Sequence, residues 1–278
     1  MKIKADILHD YIEGKSINRY KEEWFFKYDG HMFVEPSYES EHRESVRRIF
    51  EQIKRGLKEF TPCNVEIWDK LFPNWKEIIN DVSINLIVGY PEPFDATVLR
   101  APDGKRNVVL DLGQWSKYEG KCDIVSVVHN LLTHELCHVC IGEVIKDIDD
   151  DTESSNYLTN LDANTFHEAF AHLISFEDKD INEVEWDNEE WLEAKDNCRK
   201  RMNEALRETD VSKQSEFLYD AICGKYKEKY AAMAGMFYLV DCWMTKSISG
   251  LEEEFRKGYH GFAQKTLKGY NSKIISQF

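Results

Sequence analysis

The sequence THELCH at residues 133–138 continues the apolar run Ile124–Leu132, and together they predict one buried helix. Residues four apart lie about 40° apart around a helix, so the imidazoles of His134 and His138 can share one metal ion. Glu135 lies beside them, where a carboxylate can reach a water on that ion and act as a general base in hydrolysis. The spacing therefore predicts a zinc site.

The alternative is a chance match on an ordinary helix, with two surface histidines beside a charged residue. The surrounding sequence argues against it, because a helix that is apolar on most sides is buried and a buried pair of histidines needs a partner. A metal ion is the commonest partner. The apolar residues are Val127, Val128, Leu131, Leu132, Leu136, Val139 and Ile141.

A second helix is predicted over Ala163–Phe176, with Asp162 or Asn164 as its N-cap. This stretch has few helix-breaking residues. It contains Glu168, which follows the second histidine of the motif along the chain and brings a carboxylate to a second helix.

With these two helices the chain resembles the gluzincin metallopeptidases. Their zinc is held by the two histidines of the first motif and by a glutamate on a following helix. The resemblance implies that His134, His138 and Glu168 bind one Zn2+ per chain and that Glu135 is the catalytic carboxylate. It rests on these residues within about 80–176, and the C-terminal part matches the family only in general character.

The metzincins, a rival superfamily, have Gly three positions and His six positions after the second histidine, where this chain has Ile141 and Val144. A ligand from further along the chain is therefore required. Small Ala169 and Ala171 beside Glu168 would let its helix approach the first helix closely.

His167 and His172 are five residues apart, about 140° around a helix, so they cannot form a second chelating pair. His172 lies one turn beyond Glu168, where thermolysin-like gluzincins have a carboxylate. Three roles stay open for it: contact with a zinc ligand or substrate, a core histidine, or a direct ligand. His167 is expected to be structural, and Cys137 and Cys140 are interpreted as small buried apolar residues.

Composition restricts the class of protein. The chain has 278 residues, 42% of them apolar, which suits one catalytic unit with a sizeable core. The formal charge is −15, so the electrostatic field disfavours nucleic acids and anionic membranes. We expect no membrane span and no secretion signal, because no apolar run approaches about 20 residues and the N-terminus is polar. Seven scattered cysteines fit a reducing cytoplasm.

The predicted organisation is an N-terminal helical extension over residues 1–60 and a zincin-like catalytic domain over residues 61–278. In that domain the sheet and the motif helix occupy 61–145, and the glutamate helix and a helical lobe occupy 146–278. A helix is expected at about Ser40–Phe60. The lobe is expected to contain helices at about Asn188–Glu208, Lys213–Cys223 and Lys225–Thr245.

Strands are predicted before the motif helix, at Val82–Tyr90, Ala96–Arg100 and Asn107–Leu112. The last two flank a hairpin-like turn, so we expect a small antiparallel sheet. Val108–Leu112 is either an edge strand that pairs with extended substrate or an internal strand. The acidic segment Lys146–Asn160 is expected to be a mobile loop, and it lacks the ligand pattern of a calcium-binding EF-hand loop.

The sequence therefore predicts an α+β, mostly helical, zincin-like fold and a zinc-dependent metallopeptidase of peptide or protein substrates. A donor to the reacting carbonyl oxygen is left open among Tyr230, Tyr238, Tyr259 and His260. The main alternative is a non-catalytic protein that keeps zinc and binds a partner in a zincin-like cleft. An acidic interaction module with an accidental motif is a third class, which would leave the placement of Glu168 unexplained.

Overall fold

The computed structural model describes residues 1–30, 32–92 and 94–268. Helices dominate these residues, and the strands form a four-stranded mixed sheet, so the predicted α+β class is confirmed. His31, Pro93 and residues 269–278 of the predicted catalytic domain lie outside the described residues.

The elements follow the chain in two groups. The strands are β1 (Lys2–Lys4), β2 (Ser83–Ile87), β3 (Ala96–Arg100) and β4 (Arg106–Asp111). The α-helices are α1 (Asp6–Ile12), α2 (Ser40–Lys58), α3 (Val65–Leu71), α4 (Trp75–Asn80), α5 (Leu112–Trp115), α6 (Ile124–Val144), α7 (Ile148–Thr152), α8 (Tyr157–Ser175), α9 (Glu189–Ala205), α10 (Val211–Ile222), α11 (Tyr230–Lys246), α12 (Ile248–Lys257) and α13 (Phe262–Thr266). Short 3-10 helices include Asn18–Tyr20, Trp24–Phe26, Tyr28–Gly30, Ser116–Tyr118, Phe176–Asp178, Ile181–Glu183 and Tyr226–Glu228.

These elements form two compact units. The first contains Met1–Cys63 and Asn74–Val139, and the second contains Asn64–Pro73 and the chain from Cys140 onward. Helix α6 contributes residues to both units. The division differs from the separation after residue 60 that the sequence predicts, and the predicted separation stays a prediction.

The sheet belongs to the first unit and has the strand order β1-β2-β4-β3. Strand β3 pairs with β4 in an antiparallel hairpin, as predicted, with Ala96 opposite Leu110. The rest of the antiparallel prediction is wrong, because β1, β2 and β4 are parallel to one another. Strand β4 is internal, so the edge-strand alternative for Val108–Leu112 is also wrong. Its residues from Asn107 to Asp111 are all buried, as expected of a strand covered on both sides.

The end of β4 is fixed by the side chain of Asp111. Its carboxylate accepts hydrogen bonds from the backbone N–H groups of Tyr90, at 2.6 Å, and Gln114, at 3.0 Å, and the second of these caps α5. Burial raises the pKa of Asp111 to about 6, although backbone donors favour the charged form. This residue joins the sheet to the segment that leads into α6.

The second unit is built around α8 and α11, which approach closely. A Cβ atom placed on Gly235 of α11 would lie 2.6 Å from Cβ of Ala169 and 3.0 Å from the carbonyl oxygen of Thr165. Only glycine fits this contact. The small size of Ala169, interpreted from the sequence as room for the motif helix, thus serves the packing of α8 against α11 within one unit.

Helix α8 begins earlier than the sequence predicts. Its N-cap is Asn156, whose side chain accepts a hydrogen bond from the backbone N–H of Thr159 at 3.1 Å. The predicted caps are therefore wrong. Asp162 lies inside the helix and accepts hydrogen bonds from the backbone of Gly261, at 2.6 Å, and Ala263, at 2.9 Å.

The acidic segment Lys146–Asn160 contains structure where a mobile loop was expected. It includes α7 and the first residues of α8. The hydroxyl of Tyr259 donates a hydrogen bond to the carboxylate of Asp151 at one end of α7. This contact between distant parts of the chain explains why the local polar composition does not reveal the helix.

The length of α6 contradicts the expectation that no apolar run approaches the length of a membrane span. By length and composition alone it is able to cross a membrane. More than half of its most apolar window is buried inside the structure, as in the core helix of a soluble protein. One such helix is weak grounds for a membrane protein, because core helices pass the same test.

Candidate metal centre

The two motif histidines face each other on α6. Their Nε2 atoms are 3.0 Å apart, and the ring planes are nearly perpendicular, at 84°. Both rings are half-buried. The prediction that His134 and His138 direct their imidazoles to one point is therefore confirmed as geometry.

The distance between the two Nε2 atoms can be compared with the distance expected when both bind one ion. Two nitrogens bound at 2.0–2.1 Å to one tetrahedral ion are roughly 3.3 Å apart, close to the observed distance. A hydrogen bond in which one ring N–H donates to the other ring also gives a short distance. In the first arrangement the lone pairs of both rings converge on the ion, and in the second the N–H of one ring points at the lone pair of the other.

Glu135 follows His134 directly and is buried, with 7% of its surface exposed. A buried carboxylate needs polar or charged partners, because removing it from water is costly. It is therefore a residue with a specific local role rather than part of a solvated helix face. This burial matches its predicted position on the flank of the histidine pair.

Helix α8 brings Glu168 and His172 together. One carboxylate oxygen of Glu168 lies 3.2 Å from Nε2 of His172, and the two residues are one helical turn apart. Burial lowers the pKa of His172, and the neighbouring Glu168 opposes this shift. The structure thus keeps the predicted pair on one face of α8, with His172 buried at 5% exposure.

His167 points to a different partner. Its Nε2 lies 3.4 Å from a carboxylate oxygen of Asp149 on α7. The contact joins two helices of the same unit. This is the behaviour of a structural histidine, the role expected for it.

Tyr226 is the residue near this pair that the sequence does not reveal. Its ring lies edge-on to that of His172, with centroids 5.0 Å apart and planes at 89°. Although 38% of the surface of Tyr226 is exposed, partial removal of its hydroxyl from water raises its pKa, and the charges of Glu177 and Glu168 raise it further. Among the residues that the structure describes, no hydrogen bond of the Tyr226 hydroxyl is found.

The tyrosines proposed from the sequence have other partners. The hydroxyl of Tyr230 donates to the carbonyl oxygen of Phe217 at 3.0 Å, and that of Tyr259 donates to Asp151. Tyr238 hydrogen-bonds Glu254. His260 lies against the ring of Tyr259, with centroids 4.2 Å apart.

The sequence hides Tyr226 because it lies in a run of charged residues that was predicted to begin the helix Lys225–Thr245. The structure has a 3-10 helix at Tyr226–Glu228 before α11 begins at Tyr230. The available signal was Gly224, which has a φ of 107° and turns the chain after α10.

Each unit offers candidate metal ligands among the described side chains. His134 and His138 lie in the first unit, and Glu168 and His172 lie in the second. The role of His172 was left open by the sequence.

The chain matches no protein-family model, no curated protein and no solved structure. The donors that α6 and α8 offer are imidazole nitrogens and carboxylate oxygens, and both are ligand types for zinc.

Proposed function

We propose that this protein is a zinc-dependent metallopeptidase with a zincin-like fold. In this proposal His134, His138 and Glu168 hold one Zn2+, and Glu135 is the general base. The observation that carries the proposal is the 3.0 Å separation of the Nε2 atoms of His134 and His138. Two nitrogens and one carboxylate are a known ligand set for catalytic zinc, and they leave a position for water or substrate.

A zinc ion in this position lowers the pKa of a water molecule towards about 7 and polarises a carbonyl group. Glu135 then accepts a proton from the attacking water and delivers it to the leaving amine. Its burial favours this role, because a base shielded from solvent holds its proton for the second step. Hydrolysis of an amide, a peptide bond above all, is the reaction that uses these groups.

His172 orients Glu168 in this proposal. Nε2 of the imidazole lies 3.2 Å from a carboxylate oxygen of Glu168, and this contact restricts the direction of that carboxylate. A ligand that is held by such a contact loses less conformational entropy when it binds an ion. The alternative is that His172 itself binds the ion, and the zinc affinities of Glu168→Ala and His172→Ala distinguish the two roles.

Tyr226 supplies the hydrogen-bond donor to the carbonyl oxygen of the substrate. Its ring contacts His172 and its hydroxyl has no other hydrogen-bond partner in the described part of the chain. A tyrosine hydroxyl keeps its proton at neutral pH and can donate a hydrogen bond. Such a donor stabilises the negative charge that develops on oxygen during hydrolysis.

Peptides or proteins are the proposed substrates and the cytoplasm the proposed location. None of the seven cysteines, all of which lie in the described residues, forms a disulfide bond. This agrees with a reducing compartment. The acidic formal charge of −15 supports a substrate other than nucleic acid.

The proposal is tested by incubating the purified protein with a mixture of peptides of varied sequence and identifying new termini by mass spectrometry. We expect cleavage that stops when a zinc chelator is added and returns when Zn2+ is restored. A protein that contains zinc but cleaves none of the peptides would contradict the proposal and favour the non-catalytic zinc protein.

A further inference from the structure

Cys63 and His129 form a polar pair in the first unit that the proposed peptidase does not use. Sγ of Cys63 lies 3.6 Å from Nδ1 of His129. On the other side of the ring, Nε2 lies 2.6 Å from the carbonyl oxygen of Thr61. Both residues are half-buried.

The contact with Thr61 fixes the tautomer of His129. A carbonyl oxygen only accepts hydrogen bonds, so Nε2 must carry a proton. In the neutral ring Nδ1 then has a lone pair, and this lone pair faces the thiol of Cys63. The imidazole is therefore placed to take the thiol proton, with a third group that orients it, which is the arrangement of an activated nucleophile.

The local sequence holds the two groups in place. Thr61, Pro62 and Cys63 are consecutive, and Pro62 restricts the backbone between the carbonyl and the thiol. The backbone N–H of Cys63 donates to Oγ1 of Thr133 at 3.4 Å. The ring of Phe60 lies against that of His129, with centroids 5.4 Å apart. The pair is thus built by one short segment and one face of α6.

We propose that Cys63 is a reactive thiol, a site of modification by electrophiles and organic hydroperoxides, with His129 as its base. The thiol proton moves to Nδ1, and the thiolate attacks the outer oxygen of the hydroperoxide. An S–O bond forms as the O–O bond breaks, the sulfur is oxidised to a sulfenic acid, and the peroxide is reduced. The proton on Nδ1 passes to the leaving alkoxide, which gives an alcohol.

Other cysteines provide internal controls. Cys122 is exposed, and its thiol donates to the carbonyl oxygen of Tyr118 at 3.6 Å. Cys198 is buried, and burial raises its pKa to about 12. Exposure alone therefore predicts that Cys122 reacts first, whereas the histidine contact predicts that Cys63 does.

The test measures alkylation by iodoacetamide at pH 7 in the purified full-length protein, with mass spectrometry of each cysteine-containing peptide over time. We expect Cys63 to react roughly tenfold or more faster than Cys122, because an ordinary thiol is only a few per cent thiolate at this pH. In His129→Gln we expect the rate at Cys63 to fall by about the same factor while the rate at Cys122 is unchanged. His9→Gln, an exposed histidine of α1, should change neither rate.

Three results would overturn the proposal. Cys63 reacting no faster than Cys122 in the parent protein would do so without any variant. A rate at Cys63 that does not change in His129→Gln would remove His129 as the base. Protection of Cys63 by equimolar Zn2+ would make Cys63 and His129 ligands of a metal rather than a reactive thiol and its base. None of these results bears on the proposed peptidase.

Discussion

Helices α6 and α8 each contain a pair of nearby histidines, and the spacing within each pair decides which partner the imidazoles find. His134 and His138 of α6 are four apart, and their Nε2 atoms lie 3.0 Å from each other. On α8 the paired histidines are five apart, so His172 turns to Glu168 at 3.2 Å while His167 turns to Asp149 at 3.4 Å. Spacing on a helix therefore decides whether two imidazoles can share an ion or must find separate acidic partners.

The largest effect on the rate of hydrolysis is expected for Glu135, which lies between His134 and His138. Glu135→Gln should keep zinc and fold but lower the rate of hydrolysis by about 10²–10⁴-fold, because an amide of similar size cannot accept a proton. Steady-state kinetics and elemental analysis of the same sample measure both properties. Glu143→Gln, on the same helix, is the matched control and should be active. Parental activity in Glu135→Gln would show that another group is the base.

The next largest effect is expected for Tyr226, which lies outside α6 and α8. Tyr226→Phe should lower kcat by about 10²-fold with little change in zinc content, because the hydroxyl is proposed to stabilise charge that develops during the reaction. Tyr219→Phe, at an exposed position of α10, should have parental kcat. If both variants are equally active, the donor is a different residue.

The two members of the α8 pair should differ in zinc affinity. Glu168→Ala removes a proposed ligand and should leave the site nearly empty, whereas His172→Ala removes a contact to that ligand and should weaken affinity by about 10–100-fold. Competition with a chromogenic zinc chelator measures both. An empty site in His172→Ala with a full site in Glu168→Ala would reverse the two roles and make three histidines the ligands.

The smallest effect concerns the face of α8 that packs against α11. Gly235→Ala should lower the free energy of unfolding by about 1–3 kcal/mol, because its new Cβ meets Ala169 and a backbone carbonyl. Gly56→Ala in α2 has open space and should raise the free energy by up to about 1 kcal/mol through helix propensity. Urea denaturation compares the two. Stabilisation by both substitutions would show that α8 and α11 do not pack this closely.

The parts of the structure that the sequence predicts are those set by short spacings. The i, i+4 histidines, the α8 pair and the β3–β4 hairpin all follow from residues close together in the chain. Strand β1 was missed because three residues carry no clear alternation, and its pairing with β2 joins positions about 80 apart. Helix α7 was missed for the same reason, because Asp151 contacts Tyr259, 108 positions further along the chain. The cap at Asn156 and the position of Tyr226 depend on local contacts, and they were missed because their segments were interpreted as a loop and as the start of a helix.

The central claim is that His134 and His138 of α6 bind zinc. Elemental analysis of the purified parent protein and of the double variant His134→Ala, His138→Ala measures it directly, with circular dichroism to show that both are folded. We predict about one zinc per parent chain and loss of that zinc in the double variant. A folded double variant that retains the metal content of the parent would contradict the claim.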